Sequence, residues 1–323
     1  MGSSSNPFDV REHVAPRPPP VAGLDRVVYG LAQPLVGIRM LATHRTLLEG
    51  ALVPAGVVAA FCAVVAVFGD DGSFLHRFYT TFAVLAPLPS IVFANHYARF
   101  AVQARLALRP GGRTARIDDT GAVRPGGRTA RIDDTGALGF SHAAPCIAPL
   151  GRNISRAIKQ AILIALAVAP LAALLGLVPI LGWLMVQAAA AVWALHWIVV
   201  DALDSARTLQ PGETLADLDA AARRMAPPWY VRWLLHAAER VPVGGGVVRW
   251  FARVCDRLSL PWREEIALVE EHRALAVGFA LSTAALLAIP VLNLVFRPIV
   301  IIGASHILGK LEGTAHANPL RDR

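Results

Sequence analysis

Residues 160–200 read QAILIALAVAPLAALLGLVPILGWLMVQAAAAVWALHWIVV, a run of 41 without a charged side chain, bounded by Lys159 and Asp201. One helix of that length would measure roughly 60 Å, about twice the hydrocarbon thickness of a bilayer. Pro179 and Gly182 break the run near its centre, so it must fold back as two apolar arms. A second stretch, Arg273 to Lys310, repeats the plan, with Pro290 in its middle and Arg297 as its only internal charge. Two Pro-broken apolar hairpins predict an all-α integral membrane protein.

Working outward, Leu47–Phe68 reads as a first spanning helix and Phe78–Ala98 as a second, kinked by Pro87 and Pro89. A short loop with Asp70 and Asp71 joins them. Ahead of both, residues 25–45 set Val27, Val28, Leu31, Leu35, Ile38 and Leu41 at near-helical spacing among Arg26, Arg39, His44 and Arg45. That pattern predicts an N-terminal amphipathic helix lying on the membrane surface. The expected fold is thus two spanning helices, two Pro-broken hairpins and a surface helix.

Composition agrees. Hydrophobic residues make up 55% of the chain and mean hydropathy is +0.49, above the roughly 45–50% apolar content of soluble domains. The net charge of +8 does not mark a nucleic-acid binder, because the arginines flank apolar segments, where they fix topology and meet anionic lipid heads. The 29 Arg against 2 Lys point to a GC-rich bacterial genome. Loop 69–77 holds one Arg, whereas residues 99–158 and 205–273 hold ten each and the first 45 residues hold five. The positive-inside rule then predicts a multi-pass protein of the bacterial inner membrane, both termini and both long loops cytoplasmic, Asp70 and Asp71 outside. Met1–Pro20 is polar and Pro-rich, and is expected to be disordered rather than a cleavable signal peptide.

Between the membrane segments lie two polar stretches. RPGGRTARIDDTGA (109–122) recurs identically at 124–137, too few copies for a solenoid, and reads as a tandem duplication in a solvated 101–150 loop. Residues 205–272 form a helical insert. Thr214 and Asp217 mark a capped helix start, Pro227-Pro228 a stop, and Gly244-Gly245-Gly246 a hinge between two short helices. These carry Trp229, Trp233, Trp250 and Phe251 beside Arg232, Arg249, Arg253 and Arg257. Such interleaving suits either an interfacial helix pair on anionic lipid or a small bundle with its rings packed together.

The turn Leu177-Val-Pro-Ile-Leu-Gly-Trp183 holds no strong polar group, and Pro290-Val-Leu-Asn293 turns on arms of about 24 Å. A turn emerging into water normally shows Asn, Asp or Ser beside its Gly and Pro. The second hairpin therefore reads as half-penetrating, and the first as either half-penetrating or fully crossing. Arg297 is the sharpest ionisable residue at membrane depth, with Asn293 on the same helical face. Together with Arg45 and His306 they form the candidate anion path. Glu264, Glu265, Glu270 and Glu271 read as a solvated helix face. Cys62, Cys146 and Cys255 are scattered, with no zinc spacing or disulfide framework. There is no nucleophile elbow, P-loop or HExxH, so neither an enzyme nor a metal or cofactor site is expected.

LVPILGW (177–183) with the trailing DALD (201–204) resembles the mid-hairpin turn and Asp of the CysZ-type sulfate permeases. AIPVLNLVFRPIVIIGASHIL (288–308) resembles their C-terminal signature, in which Pro290, Pro298 and Gly303 take the turn and packing positions. GIRMLATHRTLLEGALVP (37–54) resembles their approach to the first membrane helix. The related eukaryotic group is the etoposide-induced endoplasmic-reticulum membrane proteins. The resemblance covers about residues 30–100, 150–204 and 260–312. It implies two spanning helices, two half-penetrating hairpins, a homo-oligomer in contact with membrane lipids, and uptake of a small anion, sulfate. The family's Gly-x-Arg-Arg anion site falls here on Leu48 and Glu49, leaving only Arg45 nearby. A carboxylate in that place repels an anion.

Overall fold

The structure is a computed structural model and describes residues 19–20, 23–68, 73–85, 88–108, 116–117, 123–124, 144–175, 181–209, 213–240, 244–288 and 290–317. Among these the chain is all-α, apart from two pairs of two-residue strands.

Helix α1 (Gly23–Thr43) passes into α2 (Arg45–Phe68) with a break only at His44, whose N–H still donates to Met40 O at 3.0 Å. The extent of α1 is as expected, and its apolar stripe faces outward. Val28, Leu31, Leu35 and Ile38 are exposed, while Gly30, Gln33, Pro34 and Gly37 are buried. The buried face lies against α12 (Arg273–Leu287) and α13 (Pro290–Ala317). Only glycine permits this approach: a Cβ at Gly30 would overlap Leu275 O, one at Gly278 would overlap Val27 O, and one at Gly37 would overlap Ile299 O. Small residues that let backbones touch are how helices pack where burial of bulky apolar groups is not the driving force.

The expected second apolar helix, 78–98, is not continuous. It is divided into α3 (Phe74–Leu85), α4 (Leu88–Val92) and α5 (Ala94–Ala107). Pro89 lies in the first turn of α4, where a missing backbone donor goes unused, and the backbone leaves helical geometry at Phe93 between α4 and α5. Pro87 itself lies outside the described residues, as do Asp70 and Asp71. α3 folds back on α2 through Cys62 and Phe82, and α5 buries Tyr97, Phe100, Ala101 and Ala104 in the main core.

Helices α6 (Leu150–Leu175) and α7 (Leu181–Ser205) form the hairpin read from the uncharged run. Pro179 lies outside the described residues, and Gly182 is buried in the first turn of α7. In the second hairpin the turn comes earlier than expected. α12 ends at Leu287 and Pro290 is the first residue of α13, so Pro290-Val-Leu-Asn293 is helix rather than turn. Proline suits a first helical position, where its missing donor would be unused. Pro298 and Gly303 sit inside the same long helix. Gly303 is buried, and a Cβ there would come within 3.1 Å of Gln33 O.

Strand β1 (Arg116–Ile117) pairs antiparallel with β2 (Val123–Arg124), joining the first copy of the duplicated sequence to the start of the second. The remainder of both copies is outside the described residues. Strand β3 (Ala144–Pro145) pairs with β4 (Thr208–Leu209) beside the end of α7. Helix α8 (Leu215–Arg224) starts on the expected capping box between Thr214 and Asp217. Helix α9 (Trp229–Arg240) turns at Gly244, in the left-handed region at φ +93°, into α10 (Gly245–Ser259). A single 3₁₀ turn (Leu260–Trp262) then leads to α11 (Arg263–Glu271). This insert wraps the C-terminal half of α7. Trp193 meets Tyr230 edge-on at 5.1 Å, and Trp197 meets Trp262 at 5.4 Å.

Two helices, Arg45–Phe68 and Leu181–Ser205, are long and apolar enough to cross a membrane by length and composition. Their exposed apolar surfaces differ. On α2 it runs from Leu48 through Leu52, Val57, Phe61 and Val64 to Phe68, about 30 Å of helix. On α7 it runs from Leu181 to Val192 and stops at buried Trp193, about 17 Å.

Candidate functional site

The end of α7 carries Asp201, Asp204 and Ser205 within one turn of each other. Carboxylates oppose the dipole at a helix C-terminus, so their presence there needs cations, and the fold supplies them. Arg156, from the second turn of α6, donates to Asp204 at 2.6 Å and to Pro261 O at 3.2 Å, and stacks 5.3 Å above the Trp262 ring. Arg297 of α13 donates through Nη2 to Asp201 at 3.0 Å and to Ser205 Oγ at 3.4 Å, with its guanidinium 5.4 Å above the Tyr97 ring. Arg207 bonds Glu264 and, at 3.0 Å, Glu265. Asn95 of α5 clamps the facing segment in both directions, donating to Ala148 O at 2.9 Å and accepting from Ala148 N at 3.0 Å.

These groups surround a half-open cleft of about 90 Å³, whose wall includes Arg156, Arg207, Arg297, Asp201, Asp204 and Asn95. Three arginines face two aspartates, and each arginine already holds a carboxylate. Two buried donors on this wall are nevertheless unfilled among the described residues: Arg297 Nε and the Tyr97 hydroxyl. Buried donors are rarely left without an acceptor. A smaller opening shares Cys146, Arg156 and Arg207 with the cleft and adds Arg152 and Arg263. Arg152 pairs with Asp219 at 2.8 Å and Arg263 with Asp256, so the insert forms part of the same polar wall.

Of the four expected path residues, the three whose side chains are described do not come together. Arg297 lines the cleft, and the Asn293 side chain lies outside the described residues. Arg45 is at the outer surface of α2, bonded to Glu49 at 2.7 Å with both side chains largely exposed; such a pair contributes at most about 1 kcal/mol. His306 is buried between α13 and α1, its Nδ1 2.6 Å from Gln33 Oε1 and its ring stacked on Tyr29. Oε1 can only accept, so Nδ1 carries the proton and the histidine is a helix-to-helix bond.

Three of the four glutamates expected on a solvated face are instead engaged, Glu264 and Glu265 with Arg207 and Glu270 with Arg232, while Glu271 is exposed as expected. Glu265 is 3% exposed beside Arg207, and Glu270 accepts from Trp229 N–H at 2.7 Å and Arg232 at 2.6 Å. Burial pushes the Glu265 carboxyl up to about 7, against the pull of Arg207. Burial, assisted by nearby Asp204, raises the Cys146 thiol as well, the reverse of what a reactive cysteine needs.

No protein family, curated protein or solved structure matches this chain.

Sequence reading missed Arg156, Asp204, Asp201, Tyr97 and Asn95 as one site. A signal was present. Arg156 and Asp204 stand 24 residues before and 24 after residue 180, so closing the hairpin there sets them opposite each other.

Proposed function

We propose that this chain is a multi-pass protein of the bacterial inner membrane, with both termini cytoplasmic, acting as an oligomeric CysZ-like permease or channel for a small anion, sulfate being the first candidate. The exposed apolar surface of α2 fits a full hydrocarbon thickness, and that of α7 fits about half of one. The second matches a hairpin that dips in from one side. The positive-inside count puts the α7 end, and with it the cleft, on the cytoplasmic side.

The observation that carries the anion reading is the pair of unfilled buried donors, Arg297 Nε and the Tyr97 hydroxyl, on a cleft with three arginines. At rest Arg297 is occupied by Asp201, and both side chains are partly exposed, at 20% and 35%. A half-solvated pair of this kind is worth on the order of 1 kcal/mol. A doubly charged oxyanion attracts the guanidinium about twice as strongly as a carboxylate at equal distance. Exchange of Asp201 for the anion is therefore energetically open, and the unfilled donors add to it.

A second reading, a non-transporting membrane scaffold, draws on the same pairs. Each cleft arginine has a carboxylate, which is what a purely structural polar core requires. Radiolabelled sulfate uptake into proteoliposomes separates the two. The permease reading expects flux that falls on the order of tenfold in Arg297→Ala and in Tyr97→Phe, as loss of one charged or buried hydrogen bond implies. A folded wild-type protein without flux leaves the scaffold.

A further inference from the structure

Helices α9 and α10 carry an outer face that nothing in the described chain covers. On α9, Trp229, Trp233, His236 and Arg240 recur at helical spacing, and on α10, Trp250, Arg253 and Arg257 do the same beside Arg249. Trp233 is 66% exposed, Trp250 60% and Val247 69%, so the rings are not packed into a bundle core. Residues 229–259 hold five arginines against Glu239 and Asp256. Arg232 is taken by Glu270 and Asp256 by Arg263, while Arg240, Arg249, Arg253 and Arg257 have no carboxylate partner among the described residues. Indole rings interleaved with unpaired guanidinium groups are the composition of a helix at the boundary of an anionic bilayer, where the ring sits at headgroup level and the cation meets phosphate.

Position argues independently for the same partner. Tyr230, three residues before Trp233, stacks edge-on against Trp193 at 5.1 Å, and Trp193 is where the exposed apolar surface of α7 ends. The Trp–Arg face of the insert thus begins at the level where α7 ceases to present apolar surface.

We propose that the α9–α10 hairpin is a lipid-docking element that seats Trp233 and Trp250 among anionic phospholipid headgroups, clamping the insert, and the cleft wall it completes, to the membrane surface. This rests on the membrane reading above, though not on transport. Its partner is a phosphatidylglycerol-type surface; a second copy of this chain would be the competing occupant.

The test uses the full-length chain in lipid nanodiscs, with Cys146→Ser and spin labels at Val247→Cys, His236→Cys or Phe61→Cys. In discs containing phosphatidylglycerol, the labels at 247 and 236 become several-fold less accessible to an aqueous nickel chelate than in pure phosphatidylcholine. Arg249→Gln, Arg253→Gln and Arg257→Gln together weaken docking on the order of 100-fold and restore access. Equal accessibility in both lipids overturns the proposal, as does equal protection of the two labels in lipid-free detergent, where only a second copy of this chain is left to cover the face. The label at Phe61, on the exposed face of α2, stays at hydrocarbon depth throughout. If it too reads aqueous, the membrane reading fails, and the docking proposal with it.

Discussion

Arg297 on α13 and Asp201 on α7 lie 96 positions apart in sequence and 3.0 Å apart in space, so one ion pair ties the end of the first hairpin to the second. Removing one partner of a partly buried pair leaves an uncompensated charge, which costs more than the intact pair contributes. Asp201→Asn is expected to destabilise the protein by about 1–3 kcal/mol. The double variant Asp201→Asn with Arg297→Gln should recover part of that loss. Thermal unfolding in detergent across the four-member cycle measures the coupling, and additivity of the two single effects would refute it. Sulfate at millimolar concentration should stabilise Asp201→Asn more than wild type, because Arg297 is then unoccupied.

The glycine seam between α1 and α12 gives a steric prediction with an internal control. Any Cβ at Gly30 or Gly278 meets backbone, which cannot swing aside. Gly30→Val should lower stability by at least about 3 kcal/mol, at or beyond the upper end for overpacking. Gly56 has nothing within 4 Å of its would-be Cβ and lies inside α2. Gly56→Ala should therefore be neutral or stabilising by up to about 1 kcal/mol. A Gly30→Val protein that melts with wild type would disprove the seam.

How far the sequence revealed all this depended on the kind of signal. The hairpin of α6 and α7 was legible because the absence of charge over 160–200 is a bulk property, insensitive to packing. So was the α8 start, because a capping box is local chemistry. The interruption of 78–98 was legible in part, since Pro87 and Pro89 announce a kink, but the further break at Phe93 carries no local sequence signal. The buried face of α1 was hidden for another reason. Periodicity finds a stripe but does not say which medium it faces, and only the glycines at 30 and 37 marked the buried side. Arg297 stands out in sequence as the one charge inside its apolar run, and its partner, Asp201, stood in plain view as the end of the other run. Pairing across 96 positions needs the tertiary fold.

Glu265 makes stability depend on pH in a stated direction. Its folded-state value is raised from 4.5 to about 7, so the folded protein holds this proton more tightly than the unfolded chain. The group's contribution is most favourable below pH 4.5, declines as pH rises towards 7, and is flat above. The total change is a few kcal/mol. Glu265→Gln, which keeps the shape and an acceptor for Arg207, should flatten that segment of the melting-temperature profile. An unchanged slope between pH 4.5 and 7 in the variant would assign the dependence to other groups.

The unequal apolar surfaces of α2 and α7 predict different exposure at their far ends. Phe68 ends a surface of about 30 Å and Leu181 starts one of about 17 Å, yet both are well exposed on the protein itself, at 80% and 61%. In a bilayer, Phe68→Cys should reach the outer face, whereas Leu181→Cys should stop near the midplane. The native thiols leave a low background once Cys146 is replaced by Ser. Cys62 and Cys255 are buried, and burial pushes the Cys255 thiol up to about 11. With intact cells and a membrane-impermeant maleimide, Phe68→Cys should label rapidly and Leu181→Cys should label only after the membrane is dissolved. Rapid labelling of both from outside would make α6 and α7 an ordinary crossing pair. The exposed Gln187, midway along the α7 surface, lies about 9 Å from either end of it, so its amide needs a partner in both arrangements and the labelling, not polarity, decides between them.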